Sequence, residues 1–251
     1  MESWEFWLAV AIIFVGAGIV KGVVGMGLPT IAMGLLALKM PPLEAATLLL
    51  IPSFVTNAWQ LATGPSLSNL WRRMWPMLTA IVIVTLASAG LIVGGHAHIA
   101  QAALGLSLAI YATLGLLKIH FKVPPAHEPW IGAFMGAATG VVTGATGINV
   151  IPAVPYLQSL DLERDDLIQA LGLSFTVSTM AMAAGLLHRG VFTHSPWLLG
   201  ASLFALVAGF IGMFIGQYLR ERMSLETFRR VFQIGLLVLG TYLAIEGFAH
   251  M

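Results

Sequence analysis

The chain has no cysteine and little charge: 12 Lys+Arg and 11 Asp+Glu among 251 residues, or 9%. Without cysteine there are no disulfides, thiolate metal sites or cysteine nucleophile. The scarcity of charge restricts the reading further. Globular proteins carry about 25% charged residues, and a water-soluble domain of this length with so few would not cover its surface. Acidic residues are missing from the middle of every long apolar run, so a carboxylate proton relay has no carrier. The net charge is only +1 and the basic residues are dispersed, which excludes nucleic-acid binding through a basic patch. The histidines, His96, His98, His120, His127, His188, His194 and His250, sit in loops or at run ends without the i, i+4 spacing of a zinc site. No metal and no cofactor is expected. The acidic start, Met1-Glu2-Ser3-Trp4-Glu5, lacks the basic region and cleavage pattern of a signal peptide, so Trp4 is expected to begin a retained helix.

What is present is apolar: 58% of the residues, with a mean hydropathy of +0.90. The expected class is an all-α polytopic membrane protein whose main solvent is lipid. At roughly 20 residues per crossing, about ten crossings use the whole chain, and any function lies inside the membrane. Apolar runs cover residues 4–24, 28–38, 43–62, 74–94, 99–117, 130–146, 148–157, 167–187, 197–219 and 228–248. Eight are long enough to span. The second and seventh are short, and each follows a glycine-rich elbow.

Basic residues decide whether the short runs cross or turn back. If both cross and the N-terminus is outside, the inside holds Arg72, Arg73, Lys118, Lys122, Arg164, Arg220, Arg222, Arg229 and Arg230. The outside then holds only Lys39 and Arg189, nine against two. If both turn back, the count becomes six against five and the bias vanishes. The positive-inside rule therefore favours ten segments with both termini outside. Trp4, Trp7, Trp71, Trp75, Trp130 and Trp197 fall at run ends, as interfacial anchors do.

The chain also repeats itself. Gly18-Ile19-Val20-Lys21-Gly22-Val23-Val24 matches Gly136-Ala137-Ala138-Thr139-Gly140-Val141-Val142, and each is followed by an elbow and a proline, Pro29 or Pro152. Ser53-Phe54 matches Ser174-Phe175, and Ala89-Gly90 matches Ala208-Gly209. Residues 1–122 and 123–251 form two five-segment halves within one membrane domain. An odd number of segments per half makes the halves inverted, the plan of secondary transporters. There the substrate site lies near the midplane, where broken helices meet and free helix ends favour an anion.

The elbows supply the first candidates, Gly25, Gly27, Thr146 and Gly147. Lys21 is the only full charge well inside a run; its plainer reading is an amine snorkelling to the interface. Asn57 and Gln60 align with Ser178 and Ala181, and Asn149 follows the second elbow. These amides, with the hydroxyls of Thr30, Thr143, Ser174, Thr176 and Ser178, could donate to an oxyanion. The plainer reading is that such groups join helices or bond their own backbone. Glycines 132, 136, 140 and 144, with Gly212 and Gly216, read as packing seams.

At the duplicated elbows, Gly22-Val23-Val24-Gly25-Met26-Gly27-Leu28-Pro29 and Gly140-Val141-Val142-Thr143-Gly144-Ala145-Thr146-Gly147 with Pro152, the sequence resembles the TauE/SafE-type exporters of sulfite and organosulfonates. The resemblance runs nearly the full length. It implies export of small sulfur-containing anions, such as sulfite, sulfoacetate or related C2 sulfonates, across a bacterial inner membrane. The partners expected are the small anion and the lipid bilayer, and a homodimer is allowed. Competing readings are a permease for another small anion, an intramembrane enzyme, and a structural membrane protein. The enzyme would need a nucleophile and base within reach of each other, and no Gly-x-Ser-Gly elbow is present.

Overall fold

The computed structural model describes residues 4–94, 97–118, 122–191, 197–220, 222 and 224–250; His96, His120 and His194 lie outside the described residues, as do the first three. The described residues are helical with no strand. The helices are α1 (Trp4–Val24), α2 (Leu28–Leu36), α3 (Pro42–Ala62), α4 (Leu67–Ser88), α5 (Gly90–Val93), α6 (Ala97–Leu116), α7 (Glu128–Thr146), α8 (Ala153–Gln158), α9 (Arg164–His188), α10 (Trp197–Arg220) and α11 (Leu225–Ala249). A 3-10 turn, Pro125–His127, leads into α7.

Seven of these segments are long and apolar enough to cross a membrane, with α4 and α5 counted as one. The chain is a multi-pass membrane protein. Of the eight long runs, the one outside the seven is α7. It has the length, 19 residues, but its many glycines and threonines make it less apolar, because it buries a face against protein. Helices α1, α10 and α11 instead turn large apolar residues outward, such as Ile12, Val207 and Val238. In a bilayer those faces meet acyl chains.

Glycine contacts set the helix pairs. On α1, a Cβ at Gly18 would lie 2.3 Å from the Gly209 carbonyl oxygen, and one at Gly22 2.3 Å from that of Met213. On α10, Gly212 and Gly216 stand equally close to Val15 and Ile19. Numbers rise together, so α1 and α10 run parallel at backbone contact. Helices α4 and α7 do the same, with Gly136 against Met77, Gly140 against Val84 and Gly144 against Ser88. The expected seam at glycines 132–144 is therefore real: Gly132 also faces the Tyr156 ring. Helices α6 and α11 pair in opposite directions, Gly105 against Gly240 and Gly115 against Gln233. So do α3 and α9, with Gly64 against Gln169 and Gly172 against Leu61.

Polar contacts gather the charged residues at one end of the bundle. Arg73 on α4 forms two hydrogen bonds of 2.7 Å to the Glu128 carboxylate at the start of α7 and a third, 2.8 Å, to the Leu160 carbonyl. Lys118 pairs with Glu226 at 2.5 Å and Lys122 with Asp161 at 3.1 Å. Gln60 Nε2 donates to the Ile168 carbonyl at the same end. At the other end Gln101 meets Glu246, Phe6 meets Trp197, and Arg189 approaches Gly90. Trp7 departs from the anchoring role: it packs edge-on against Phe204, 5.2 Å between centroids, because α10 covers that face of α1.

The Arg73–Glu128 pair is bidentate and its carboxylate is buried. Replacing Arg73 with Met leaves that carboxylate without its partner and is expected to lower stability by ~1–3 kcal/mol. The check is thermal unfolding in detergent, and Arg73→Met/Glu128→Gln should recover part of the loss.

Candidate functional site

The first elbow joins α1 to α2. Gly25 and Gly27 have φ of +84° and +106°, a region open to glycine at little cost, and Gly27 caps α2 with no side-chain hydrogen bond. Pro29 in the first turn of α2 lacks an N–H that would in any case go unbonded there. The second elbow follows α7. Gly147 caps it with φ +75° and donates its N–H to the Thr143 carbonyl at 2.8 Å.

Here the expected geometry needs correction. The segment after the second elbow does not become helical at Ile148: residues 148–150 are non-helical and α8 begins only at Ala153. Pro152 disfavours helical backbone at the residue before it, which delays the helix and leaves six residues for α8. The second elbow thus contributes irregular backbone and Asn149 rather than a long helix N-terminus.

The start of α2 meets the second elbow: Pro29, Thr143, Gly147 and Asn149, with Ser53 of α3, Thr179 of α9 and the apolar Ala46, Leu49, Leu50 and Met182, line a cavity of about 20 Å³. Gly25 and Gly27 face away from it, towards Ile168 and towards Val20 and Phe232. That volume admits a water molecule and is too small for an oxyanion. Substituting Gly147 with alanine forces a Cβ into the left-handed region, 2.8 Å from the Ala46 Cβ. The expected loss is ~2 kcal/mol or more, read as a lower unfolding temperature.

Lys21 does not snorkel. It is 3% exposed and its Nζ donates to Asn57 Oδ1 on α3. Asn57 is fully buried, and its Nδ2 has no partner. The second half makes the corresponding link between α7 and α9, where the Thr143 and Ser178 hydroxyls are 3.3 Å apart. Four more buried polar atoms are unpartnered near these elements: Thr30 Oγ1, Ser53 Oγ, Asn149 Oδ1 and Ser174 Oγ. Leaving a buried polar atom unbonded costs ~1–3 kcal/mol each; Thr85 Oγ1 on α4 is unpartnered as well, and of the six only Ser53 and Asn149 line the cavity. Rotating the Asn149 amide would exchange its Oδ1 for an N–H donor.

Several candidates take the plainer role. Gln60 ties α3 to α9 by its bond to the Ile168 carbonyl at 2.7 Å. Thr146 and Thr176 donate to carbonyls four residues back, those of Val142 and Gly172. Thr143 also bonds its own helix at Thr139 while facing the cavity. Pro29, Ser53 and Thr179 were not among the sequence candidates. Ser53 carried a signal: it aligns with Ser174, which was a candidate. Thr179 carried none beyond lying next to Ser178.

A family model described as Sulfite exporter TauE/SafE matches residues 10–243. No curated protein and no solved structure matches the chain.

Proposed function

The chain belongs to the sulfite exporter TauE/SafE family, and from that premise we propose that it moves small sulfur-containing anions, sulfite, sulfoacetate or related C2 sulfonates, across a bacterial inner membrane. The family is one of transporters rather than enzymes. One observation carries the reading: Pro29, just after the first elbow, and Gly147 and Asn149 of the second, far apart in sequence, line one small cavity together with Ser53, Thr143 and Thr179.

The proposed binding mode draws on groups that line the cavity and on the buried Lys21–Asn57 pair, which lies outside its lining. Lys21 supplies positive charge, and the free N–H groups at the start of α2 add the positive end of its dipole. Asn57, Asn149, Ser53 and Thr179 donate to the anion's oxygens. The second elbow contributes irregular backbone, which membranes tolerate where it lines a cavity.

Helix pairing supports a ten-segment, 5+5 inverted repeat, with α4 and α5 taken as one segment. Exchanging the halves turns the α1–α10 pair into α7–α4, and both pairs are parallel and glycine-tight. The same exchange maps α3–α9 and α6–α11 onto themselves. A two-fold axis in the membrane plane requires such self-mapped pairs to be antiparallel, and both are. Rocking one half against the other would then open the junction to each side in turn. With the basic end inside, both termini lie outside.

The test is flux of radiolabelled sulfite and sulfoacetate into proteoliposomes, with sulfate and phosphate as competitors. Saturable uptake inhibited by unlabelled sulfonate is expected. Uptake of phosphate alone would reassign the substrate, and absence of flux with every small anion would overturn transport.

A further inference from the structure

A second cavity, about 1010 Å³, lies at the basic end of the bundle, between the end of α6, the start of α11 and α8. Its lining carries three cations, Lys118, Arg229 and Arg230, against one carboxylate, Glu226. Lys118 is paired with Glu226, so the excess positive charge is that of the two arginines, both exposed on α11. Gln158 at the end of α8 adds an uncharged amide to the wall.

One residue of this cavity's wall touches the first elbow. Tyr111, 8% exposed, lines it and donates its hydroxyl to Met26 Sδ at 3.2 Å. Met26 is the residue between Gly25 and Gly27. The Phe232 ring covers the elbow from α11, since a Cβ at Gly27 would lie 3.3 Å from its Cζ. A wide, positively lined chamber thus has Tyr111 in its wall, in contact with the elbow that Phe232 covers. Pro29, two residues after Gly27, lines the smaller cavity.

We propose that this chamber is a second anion site, a loading vestibule in which Arg229 and Arg230 concentrate a water-soluble oxyanion or sulfonate beside Tyr111. The inference rests on the transport reading and adds to it a place, a side and two residues. A low-dielectric cleft lined by one sign of charge focuses its field and raises the local concentration of the opposite ion about tenfold or more. The vestibule needs no tight fit. Its volume suits a hydrated anion, and the junction beyond it selects.

The cysteine-free chain makes the test direct. Gln158→Cys places one thiol in the chamber wall, and Ser68→Cys places another on the exposed start of α4 at the same end. Each protein, in nanodiscs of zwitterionic lipid, is modified with an anionic sulfonatoethyl and a cationic trimethylammonioethyl methanethiosulfonate. The anionic-to-cationic rate ratio is expected to be about tenfold higher at Gln158→Cys than at Ser68→Cys, and to fall to the Ser68→Cys level when Arg229→Gln and Arg230→Gln are added. Sulfoacetate, which does not consume the reagent as sulfite does, should slow modification at Gln158→Cys and leave Ser68→Cys unchanged. A ratio indifferent to both arginines, or no protection by sulfoacetate, overturns the proposal. Protection by an anionic phospholipid alone would assign the chamber to a lipid headgroup and overturn it equally. Labelling needs no flux, so this result stands or falls separately from transport itself.

Discussion

Replacing Lys21 with methionine is expected to reduce sulfite flux by about a hundredfold, the equivalent of ~2.7 kcal/mol, while the helical bundle survives. Methionine nearly keeps the volume and shape of the lysine stem, so the packing of α1 changes little. What disappears is the amine, the only buried cation among the described residues. Hydrogen bonds to charged groups contribute ~1.5–3 kcal/mol, and attraction for an anion in a low-dielectric interior adds to that. The variant also leaves Asn57 Oδ1 without its donor, so both polar atoms of the Asn57 side chain become unpartnered. Asn57→Leu in the Lys21→Met background should therefore recover stability but not flux. Measuring unfolding temperature and initial rate on the same preparations separates the two effects. Flux retained within twofold in Lys21→Met would remove Lys21 from the site.

The second large effect is on assembly. Leucine at Gly212 is expected to abolish recovery of folded protein. A Cβ there would lie 2.1 Å from the Val15 carbonyl oxygen, a contact with backbone that no side-chain rotation relieves. Helices α1 and α10 would have to separate along the seam built by Gly18, Gly22, Gly212 and Gly216. Overpacking a core costs ~1–3 kcal/mol even where side chains can shift, and a membrane interface held by close backbone approach has little else to replace it. A Cβ at Gly16 or Gly200, exposed positions on the same two helices, meets nothing within 4 Å, and leucine there should leave yield and unfolding temperature unchanged. Equal behaviour of all three variants in size-exclusion profiles would contradict the seam.

Much of the architecture was legible because lipid imposes a simple code. Long apolar runs became helices with ends within about three residues of those expected, inside the usual uncertainty of helix boundaries. Helix α4 is the exception. It starts at Leu67, seven positions before the apolar run, because Arg72 and Arg73 interrupt hydropathy without interrupting helical backbone. The glycine spacing also translated into packing, since a four-residue period of small side chains has one efficient use between helices.

The site was less legible, for reasons of chemistry. A threonine inside a helix can face a cavity or bond the carbonyl four residues back, and sequence does not separate Thr143, which does both, from Thr146, which bonds its own helix. The Lys21–Asn57 contact depends on how α1 crosses α3, a tertiary fact absent from either run. The delay of α8 depends on backbone at Ile151 and Pro152, which an apolar count passes over. Repeat symmetry carries one further cue: it relates Ser53 to Ser174, and Ser53 lines the cavity.

The central claim is that an oxyanion binds where the start of α2 meets the second elbow, and selenite tests it most directly. This heavier congener of sulfite can be located by anomalous scattering in crystals of the protein. A selenium peak is expected at the junction, with its oxygens about 3 Å from polar atoms of Ser53, Asn149 or Thr179, and with the cavity wider than its present volume of about 20 Å³. Selenium found only away from that junction, in protein that transports selenite, would contradict the account.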